Sequence, residues 1–317
     1  MNIEDLRMFC DVVRHQSFSR AAAINHVSQS AATQCIHRLE KRFGTPLVDR
    51  SRRPFILTPE GQVCYEGFRE VLDLYDAVES RVRSLRKEIA GVVRVAAIYS
   101  VGLFEMGWTM RDFMRRYPKA RVRLQYHHPS KVYQAVLDSE VDLGIVSYPT
   151  SSSELVVMPL RSEPMVVVCH PDDPLTAHAT VTLEHLRGRE FVAFDRDLSI
   201  RKELDRHFRQ RSVSVRIVME FDNIETIKQA IEIRAGVSIL PAPTVRREVE
   251  TGTLRAIPLI APAMVRPIGI IHRHRKVFSP TVTKFVEMLL EKQGGTDQRT
   301  AAPDEEEGRH QAMDRSA

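Results

Sequence analysis

Residues 17–61 of this chain read SFSRAAAINHVSQSAATQCIHRLEKRFGTPLVDRSRRPFILTPEG, and they decide the fold of its N-terminal part. Three small residues at 21–23 allow a neighbouring helix to approach closely, and a break in the helical pattern follows at 26–28. Ser28 is the expected N-cap of a second helix, because its hydroxyl can accept a hydrogen bond from a free backbone N–H. One face of that helix is apolar and is formed by Ala31, Ala32, Ile36 and Leu39. The segment therefore predicts a helix, a turn and a second helix.

Polar side chains occupy the rest of this second helix, and they are typical of a surface that reads DNA. Short hydrogen-bonding side chains at the start of an exposed helix suit the base edges and phosphates of a major groove. The alternative interpretation is an ordinary solvated helix face, since motif matches of this kind produce false positives. The residues of this helix predicted to contact DNA are Ser28, Gln29, Ser30, Thr33, Gln34 and Arg38.

A basic hairpin follows the second helix. Residues 47–57 read LVDRSRRPFIL, with apolar residues at both ends and the arginines Arg50, Arg52 and Arg53 between them. Guanidinium groups at a loop tip match phosphate oxygens or a narrow minor groove. We therefore predict a wing that grips the same duplex as the helix, which favours DNA binding over a solvated face.

Residues 1 to about 90 closely resemble the N-terminal winged helix-turn-helix of LysR-type transcriptional regulators. The resemblance is carried by Leu6, Phe9, Val12, Ser17, Phe18, Ala21, Ala22, Val27, Ser28, Gln29, Ile36, Leu39, Glu40, Gly44, Pro46, Leu47, Arg50, Leu57, Thr58 and Gly61. The chain departs from the family pattern at Asn25, Ser30, Thr33, Gln34 and Cys35. The resemblance implies double-stranded DNA as a partner, a homodimer or homotetramer on an interrupted palindrome, a small-molecule effector, and RNA polymerase as a possible further partner.

Composition and charge agree with a cytoplasmic, nucleoid-associated regulator. The 317 residues exceed one average domain, and 43% hydrophobic content is enough for a core in each of two domains. A formal charge of +5 permits contact with nucleic acid without requiring it. The chain has no long uncharged apolar run and no charged-then-apolar leader. This pattern predicts neither a membrane span nor a secretory signal.

The sequence offers little for metal, redox or catalytic chemistry. Its four cysteines are isolated, and Cys169, within the run MVVVC, is predicted to be a buried structural thiol. The histidines at 127–128 and in the run HRHR at 272–275 lack acidic or cysteine partners beside them, so no metal site is predicted. No nucleophile elbow, phosphate-binding loop, dinucleotide fingerprint or zinc-protease motif is present, so neither an enzyme nor a cofactor is predicted. The alternative is a ligand-binding or enzymatic α/β domain to which the helix-turn-helix is a minor accessory.

A long linker and dimerisation helix is predicted over 59–90, with Thr58 as its N-cap and Pro59 at its first position. Apolar residues recur at alternating steps of four and three from Cys64 to Ile89, which is the heptad pattern of a coiled coil. The alternative is a helix that packs on its own chain, but charged residues on the opposite side favour a partner helix. The residues predicted to meet that partner are Phe68, Val71, Tyr75, Val78, Val82 and Leu85.

Residues 91–293 show short β-branched runs that alternate with helical stretches, the pattern of a mostly parallel α/β sheet. Two crossovers near prolines divide them into lobe I, about 91–161 and 268–293, and lobe II, about 162–267. The predicted fold class is a multidomain α+β chain. It joins a winged helix-turn-helix over 1–58, a long coiled-coil linker helix, and a two-lobed α/β effector domain resembling periplasmic binding proteins. The polar, acidic segment 294–317 cannot bury a core and is predicted to be a disordered tail.

Hydroxyl and amide side chains follow the predicted strands, where the helices of both lobes begin. Helix N-termini at this edge of a sheet favour anions through their free N–H groups and dipoles. Each residue alone could be a plain helix cap, but their convergence predicts a small anionic or polar effector, with Arg196 or Arg201 as its charge partner. The segments 98–103 and 146–149 look similar to regulators of cysteine and sulfur metabolism or of carbon fixation. The predicted effector-binding residues are Ser100, Val101, Gly102, Ser130, Ser147, Phe194, Ser199 and Asn223.

Overall fold

The computed structural model describes residues 1–84, 89–101, 106–260 and 264–291, without the side chains at 80, 83, 84 and 108. Leu85, Gly102 and the predicted tail 294–317 therefore lie outside the described residues. Three apolar cores organise the described part, one in an N-terminal head and one in each lobe of the effector domain. Among the described residues, no helix is both long and apolar enough to span a bilayer.

The head is a three-helix unit with a short wing. α1 (Ile3–His15), α2 (Phe18–Ile24) and α3 (Gln29–Phe43) share one core, and β1 (Val48–Asp49) pairs antiparallel with β2 (Ile56–Leu57). Ser17 and Ser28 cap α2 and α3 through their side chains, because each hydroxyl satisfies an N–H that the first helical turn leaves free. The predicted helix, turn, helix and wing are confirmed.

α4 (Pro59–Ser84) leaves the head as the linker helix. The Gly61 N–H donates to the Thr58 hydroxyl over 2.9 Å, so Thr58 is the N-cap that the sequence predicts. A Cβ at Gly61 would lie 1.9 Å from the Leu47 carbonyl oxygen, so only glycine lets α4 begin this close to the wing. Residues 89 and 90 are not helical, and Ile89 packs on the core of lobe I. The prediction of a helix through residue 90 is wrong at that end.

α4 has two apolar faces instead of one. Its inner face contributes Tyr65, Phe68 and Leu72 to the core of the head, and the ring of Phe68 lies 5.6 Å from that of Phe9. Phe68 therefore packs within its own chain, against the prediction that it meets a partner helix. The outer face is the exposed stripe, formed by Val63, Val71, Leu74, Tyr75, Val78 and Val82.

The effector domain is built from two lobes. In chain order its elements are β3 (Gly91–Ala97), α5 (Tyr99–Val101), α6 (Gly107–Arg116), β4 (Ala120–Tyr126), α7 (Pro129–Leu137), β5 (Leu143–Ser147), β6 (Leu155–Cys169), β7 (Glu190–Phe194), α8 (Ser199–Gln210), β8 (Arg216–Phe221), α9 (Ile224–Glu232), β9 (Ser238–Pro241), α10 (Arg246–Thr251), β10 (Arg255–Pro258), β11 (Val265–Arg273) and α11 (Pro280–Glu291). The core of lobe I draws on residues 93–160 and 268–289, and that of lobe II on residues 165–264.

Two long antiparallel strands, β6 and β11, run through both lobes. The large sheet has the order β10-β6-β11-β5-β3-β4, with β9 also paired to β6, while β7 and β8 form a separate parallel pair. β3 pairs in parallel with β4 and β5, as expected for α/β units. β6 is one continuous strand through residues 161 and 162, where the sequence predicted a crossover between the lobes near prolines. This strand passes directly from lobe I into lobe II.

Candidate functional site

The N-terminal end of α3 carries polar residues that the sequence predicts to contact DNA. The Ser28 hydroxyl accepts the Ala31 N–H over 3.2 Å and lies 2.9 Å from the Ser30 hydroxyl. The Gln29 side-chain oxygen accepts from the Ser19 hydroxyl over 2.9 Å, which ties the start of α3 to α2. Ser28, Gln29 and Ser30 are exposed. Their remaining donors and acceptors face solvent at the helix end where base edges are read in such domains.

Farther along α3 the predicted residues separate into different roles. Thr33 donates to the Gln29 carbonyl oxygen over 3.0 Å, and Gln34 is exposed. Cys35 is buried and its thiol lies 3.3 Å from a carboxylate oxygen of Asp5. The departure from the family pattern at Cys35 therefore changes the core of the head and leaves its outer surface alone. Burial raises the pKa of the Cys35 thiol to about 12, so it is protonated at neutral pH.

Asp5 is the centre of a buried polar group beneath α3. Its carboxylate accepts from Arg38 over 2.7 Å, and it forms a reciprocal capping box with Asn2. Burial alone raises the pKa of Asp5, but the hydrogen bonds from Arg38, Asn2 and Cys35 outweigh it and hold the pKa below the usual value. Arg38 thus has a structural partner in addition to its predicted place at the DNA surface. The family departure at Asn25 is also satisfied locally, since its amide donates to Asp11 over 2.8 Å.

Glu40 fastens the wing to α3. One of its carboxylate oxygens accepts from the Leu47 N–H over 3.1 Å, and the other accepts from Arg50 over 3.1 Å. Arg52 and Arg53 are exposed at the tip and make no hydrogen bond or ion pair with any residue that the structure describes. The wing therefore has one arginine that holds it in place and two that remain available to a phosphate backbone.

The cleft between the lobes collects most of the predicted effector-binding residues. Its cavity has a volume of about 50 Å³ and continues into a more open region of about 370 Å³ at Tyr99 and Asp222. The N-termini of α7, α8 and α9 all reach it, which places three positive helix ends around one space. The predicted residues that line the cavity are Ser100, Ser147, Phe194, Ser199 and Asn223.

Arg266 is the cation of the cleft, and the sequence did not identify it. Its side chain is 2% exposed; Nε donates to Glu163 over 2.8 Å, and Nη1 donates to the Ser100 hydroxyl over 2.8 Å. The register of β6 and β11 sets this pair, because Arg266 lies directly opposite Glu163. Arg161 also donates to Glu163 over 2.9 Å. Two guanidinium groups therefore share one carboxylate, and the guanidinium of Arg266 reaches the Ser100 hydroxyl at the wall of the cavity.

Several predicted residues lie outside the cavity. Val101 is buried in the core of lobe I, and the Ser130 hydroxyl bonds the His128 ring over 2.9 Å without lining the cavity. Arg201 is buried within lobe II, where it donates to Asp205, to Glu220 and to the Phe194 carbonyl oxygen. The exposed Arg196 pairs with Glu220 over 3.4 Å. The expectation that Arg196 or Arg201 is the charge partner in the cleft is wrong, because carboxylates of their own lobe hold both.

A polar contact crosses the mouth of the cleft. His128 of lobe I lies 3.3 Å from a carboxylate oxygen of Asp197 in lobe II. Asp195 and Asp222 follow the paired strands β7 and β8, and burial together with the neighbouring carboxylates raises the pKa of Asp195. Among the described residues, no group of three or more histidine, cysteine or acidic side chains is placed to hold a metal ion. Cys169 is buried, as predicted, and burial raises its pKa to about 11.

Comparison with known proteins assigns the two parts of the chain to one family. The family model described as bacterial regulatory helix-turn-helix protein, lysR family, matches residues 3–62, and the model described as LysR substrate binding domain matches residues 86–294. The HTH-type transcriptional regulator YeiE of Escherichia coli is 27% identical over 90% of this chain and 96% of its own length. The RuBisCO operon transcriptional regulator of Allochromatium vinosum is also 27% identical, over 92% of this chain and 96% of its own length.

Solved structures share the whole fold at lower sequence identity. A full-length OxyR variant from Pseudomonas aeruginosa superposes with a TM-score of 0.76 at 23% identity, over 92% of this chain and 94% of its own. CbnR in complex with its target DNA superposes with a TM-score of 0.57 at 22% identity, over 92% and 99%. Because the substrate-binding model alone matches more than half of the sequence, the chain belongs to the LysR family of DNA-binding transcriptional regulators.

Proposed function

We propose that this LysR-type regulator binds an interrupted palindrome as a homodimer or homotetramer through α3 and the wing, under the control of a small anion held between its lobes. One observation supports the DNA contact above the others. The exposed polar start of α3 and the arginine tip of the wing are joined through Glu40 into one unit. Ser28, Gln29, Ser30, Thr33 and Gln34 would face base edges and phosphates, while Arg50, Arg52 and Arg53 would face the backbone or the minor groove.

Genome-wide capture of DNA bound by the full-length protein tests this proposal directly. The expected result is a shared motif of two inverted half-sites, separated by about one helical turn of roughly 10 base pairs or a multiple of it. The genes beside the motif would also separate two kinds of target. The name of the Allochromatium relative makes carbon-fixation genes one candidate class, and genes of sulfur metabolism are the other. Captured DNA without a common motif would contradict sequence-specific binding.

The exposed stripe of α4 supports the dimer. Leu74 and Val78 are 54% and 49% exposed, although apolar side chains in a row along one helix are usually covered. Val78→Glu would bring a carboxylate into a helix pair from each side, and sedimentation should then show monomers at concentrations where the natural protein is oligomeric. Glu66→Gln is the matched control, since Glu66 is exposed on α4 away from the stripe. An unchanged oligomer in the Val78 variant would exclude this stripe as the contact.

Two features of the cavity support an anionic effector. Three helix N-termini point to it, and the guanidinium of Arg266 lines it and donates to the Ser100 hydroxyl over 2.8 Å. Titration calorimetry of the full-length protein with inorganic sulfate, phosphate and acetate tests this. We expect one of these anions to bind, with affinity reduced at least about fivefold by Ser100→Ala, the loss of about one hydrogen bond. Ser130→Ala is the control, because Ser130 does not line the cavity.

We further propose that the cleft binds its ligand without catalysis. The nearest arrangement to a nucleophile and base is Ser130, His128 and Asp197, with distances of 2.9 and 3.3 Å between successive partners. Ser130 lies outside the cavity, however, so a molecule held in the cavity is not presented to its hydroxyl. Hydrolysis of a simple activated ester by the full-length protein should be the same with and without Ser130→Ala. A rate that falls in the variant would support the enzyme alternative.

A further inference from the structure

α7 connects the cleft with the linker helix. At its N-terminal end, His128 and Pro129 line the cavity between the lobes. At its C-terminal end, the turn at 137–139 contacts Arg69 of α4. α7 has nine residues and is about 13 Å long. One element of lobe I therefore contacts both the proposed ligand site and the helix that carries the DNA-binding head.

Arg69 completes the C-terminal end of α7. Its guanidinium donates to the Leu137 carbonyl oxygen, which belongs to the last turn, where carbonyl groups lack helical partners. It also donates to the Ser139 hydroxyl over 3.1 Å and lies 4.9 Å from the centre of the Tyr65 ring. A cation at this position is favoured by the helix dipole. These contacts thus hold α4 against the C-terminal end of α7.

The burial of the Arg69 guanidinium costs free energy. The Arg69 side chain is 5% exposed, and the nearest carboxylate in its ion pair, that of Asp138, is 3.7 Å away. Its Nε is buried without a hydrogen-bond partner among the described residues, and burial lowers the pKa of Arg69. A buried cation with so distant a counter-ion is a poor source of stability. By contrast, Lys276 of lobe I holds Asp73 of α4 over 2.7 Å, so the attachment of α4 has a better anchor elsewhere.

We propose that Arg69 is a positioning residue that couples α7 to the linker helix, so that a shift of α7 at the cleft changes the placement of the DNA-binding head. The ligand end of this coupling rests on the proposed effector site. Coupling between two sites acts in both directions. The release of Arg69 from α7 should therefore also change the hydrogen-exchange protection at the N-terminal end of α7 when no ligand is present. The coupling can therefore be measured on the full chain alone.

Hydrogen exchange of the full-length protein tests the coupling through four variants. Arg69→Ala should raise exchange at 128–132 by at least about fivefold, the lower range of coupling between sites, and Ser139→Ala should do so to a smaller extent. Arg69→Lys keeps the charge and should restore part of the protection. Glu70→Gln is the matched control, because Glu70 is the next residue of α4 and its partner, Arg273, lies on β11 instead of α7. Faster exchange confined to α4 and 137–139 would overturn the proposal.

A DNA measurement separates positioning from simple loss of structure. On a captured site, Arg69→Ala should change the length of the protected region or the bend angle, while affinity for an isolated half-site stays within about twofold. Equal footprints for the variant and the natural protein would count against positioning. The exchange experiment uses no ligand, so its outcome is independent of whether sulfate, phosphate or acetate binds in the cleft. Failure of the coupling and failure of the proposed effector site are thereby told apart.

Discussion

The head and the cleft both meet their proposed ligands with hydroxyl groups at helix N-termini and with arginine, but they treat the charge of the arginine in opposite ways. Arg52 and Arg53 stand in solvent at the wing tip. Arg266 is buried and balanced by Glu163. Exposed cations suit a polyanion, because binding releases the counter-ions of DNA and needs no prior desolvation. A buried, partnered cation suits one small ligand, because water is already excluded and the geometry is fixed. Substitutions in the two regions should therefore differ in both size and kind.

The largest effect is expected from Glu163→Gln. This change leaves Arg161 and Arg266 beside each other without their shared carboxylate. Removing one partner of a buried ion pair typically costs about 3–5 kcal/mol. Urea unfolding of the full-length protein, followed by circular dichroism, should show this loss in the transition of the effector domain.

Two further variants sharpen that prediction. Glu163→Gln combined with Arg266→Met should cost less than Glu163→Gln alone, since the uncompensated charge is then reduced. Glu203→Gln removes an exposed pair with Arg206, and exposed pairs contribute at most about 1 kcal/mol. A Glu163 variant as stable as the Glu203 variant would show that the cleft is no more dependent on its charge pair than the surface is.

The same contrast explains what the sequence revealed. Ser28, Thr58 and the wing were predictable because each is bonded to residues a few positions away. Arg266 was not, because its partner Glu163 is 103 residues distant and the two meet only through the register of two long strands. Contacts between residues that are close in the sequence can be predicted from a short stretch of it. The register of strands that join separate lobes depends instead on the packing of the whole domain.

The linker helix α4 is a second place where the sequence pattern predicts the element but not its contacts. Its heptad pattern gives the spacing of apolar residues but does not say which face the head covers. Phe68 is covered by the head, while Leu74, absent from the predicted set, is exposed. The apolar repeat thus includes residues from two different faces of α4. Only the contact of Phe68 with Phe9 shows which of these faces the head covers.

In the head, Gln29→Ala is expected to have the next largest effect, and the effect should be on sequence preference. An amide that pairs with a base edge contributes about 1–3 kcal/mol of discrimination. Competition between captured sites and single-base variants of them should show relaxed preference at one position of each half-site. Ser19→Ala is the matched control, since it only frees the Gln29 side chain, and it should relax preference less. Unchanged preference in both variants would remove Gln29 from the reading surface.

The stability of the head should depend on pH through Asp5. Because hydrogen bonds hold its folded pKa below the usual value, its stabilisation is complete above the unfolded pKa, about 3.9, and is lost as pH falls through the folded pKa. Asp5→Asn should therefore lower stability at pH 7 by about 1–3 kcal/mol, and the difference from the natural protein should shrink as the pH falls below 4. Urea unfolding at pH 7 and pH 3.5 measures this. A difference that is constant with pH would show that the carboxylate charge of Asp5 does not contribute.

The smallest effect on free energy is expected from Arg52→Ala, and it tests the contrast between exposed and buried charge most directly. The loss of one phosphate contact should weaken binding to captured and random DNA alike and lower the slope of log affinity against log salt by about one. Stability should not change, because Arg52 makes no hydrogen bond or ion pair with a described residue. Arg50→Ala is the matched control: it breaks the bond to Glu40 and the contact with Phe18, so it should lower stability as well as affinity. If Arg52→Ala alters sequence preference and leaves the salt slope unchanged, the wing reads bases. Arg52 would then not be the general contact to the phosphate backbone that its lack of a partner among the described residues indicates.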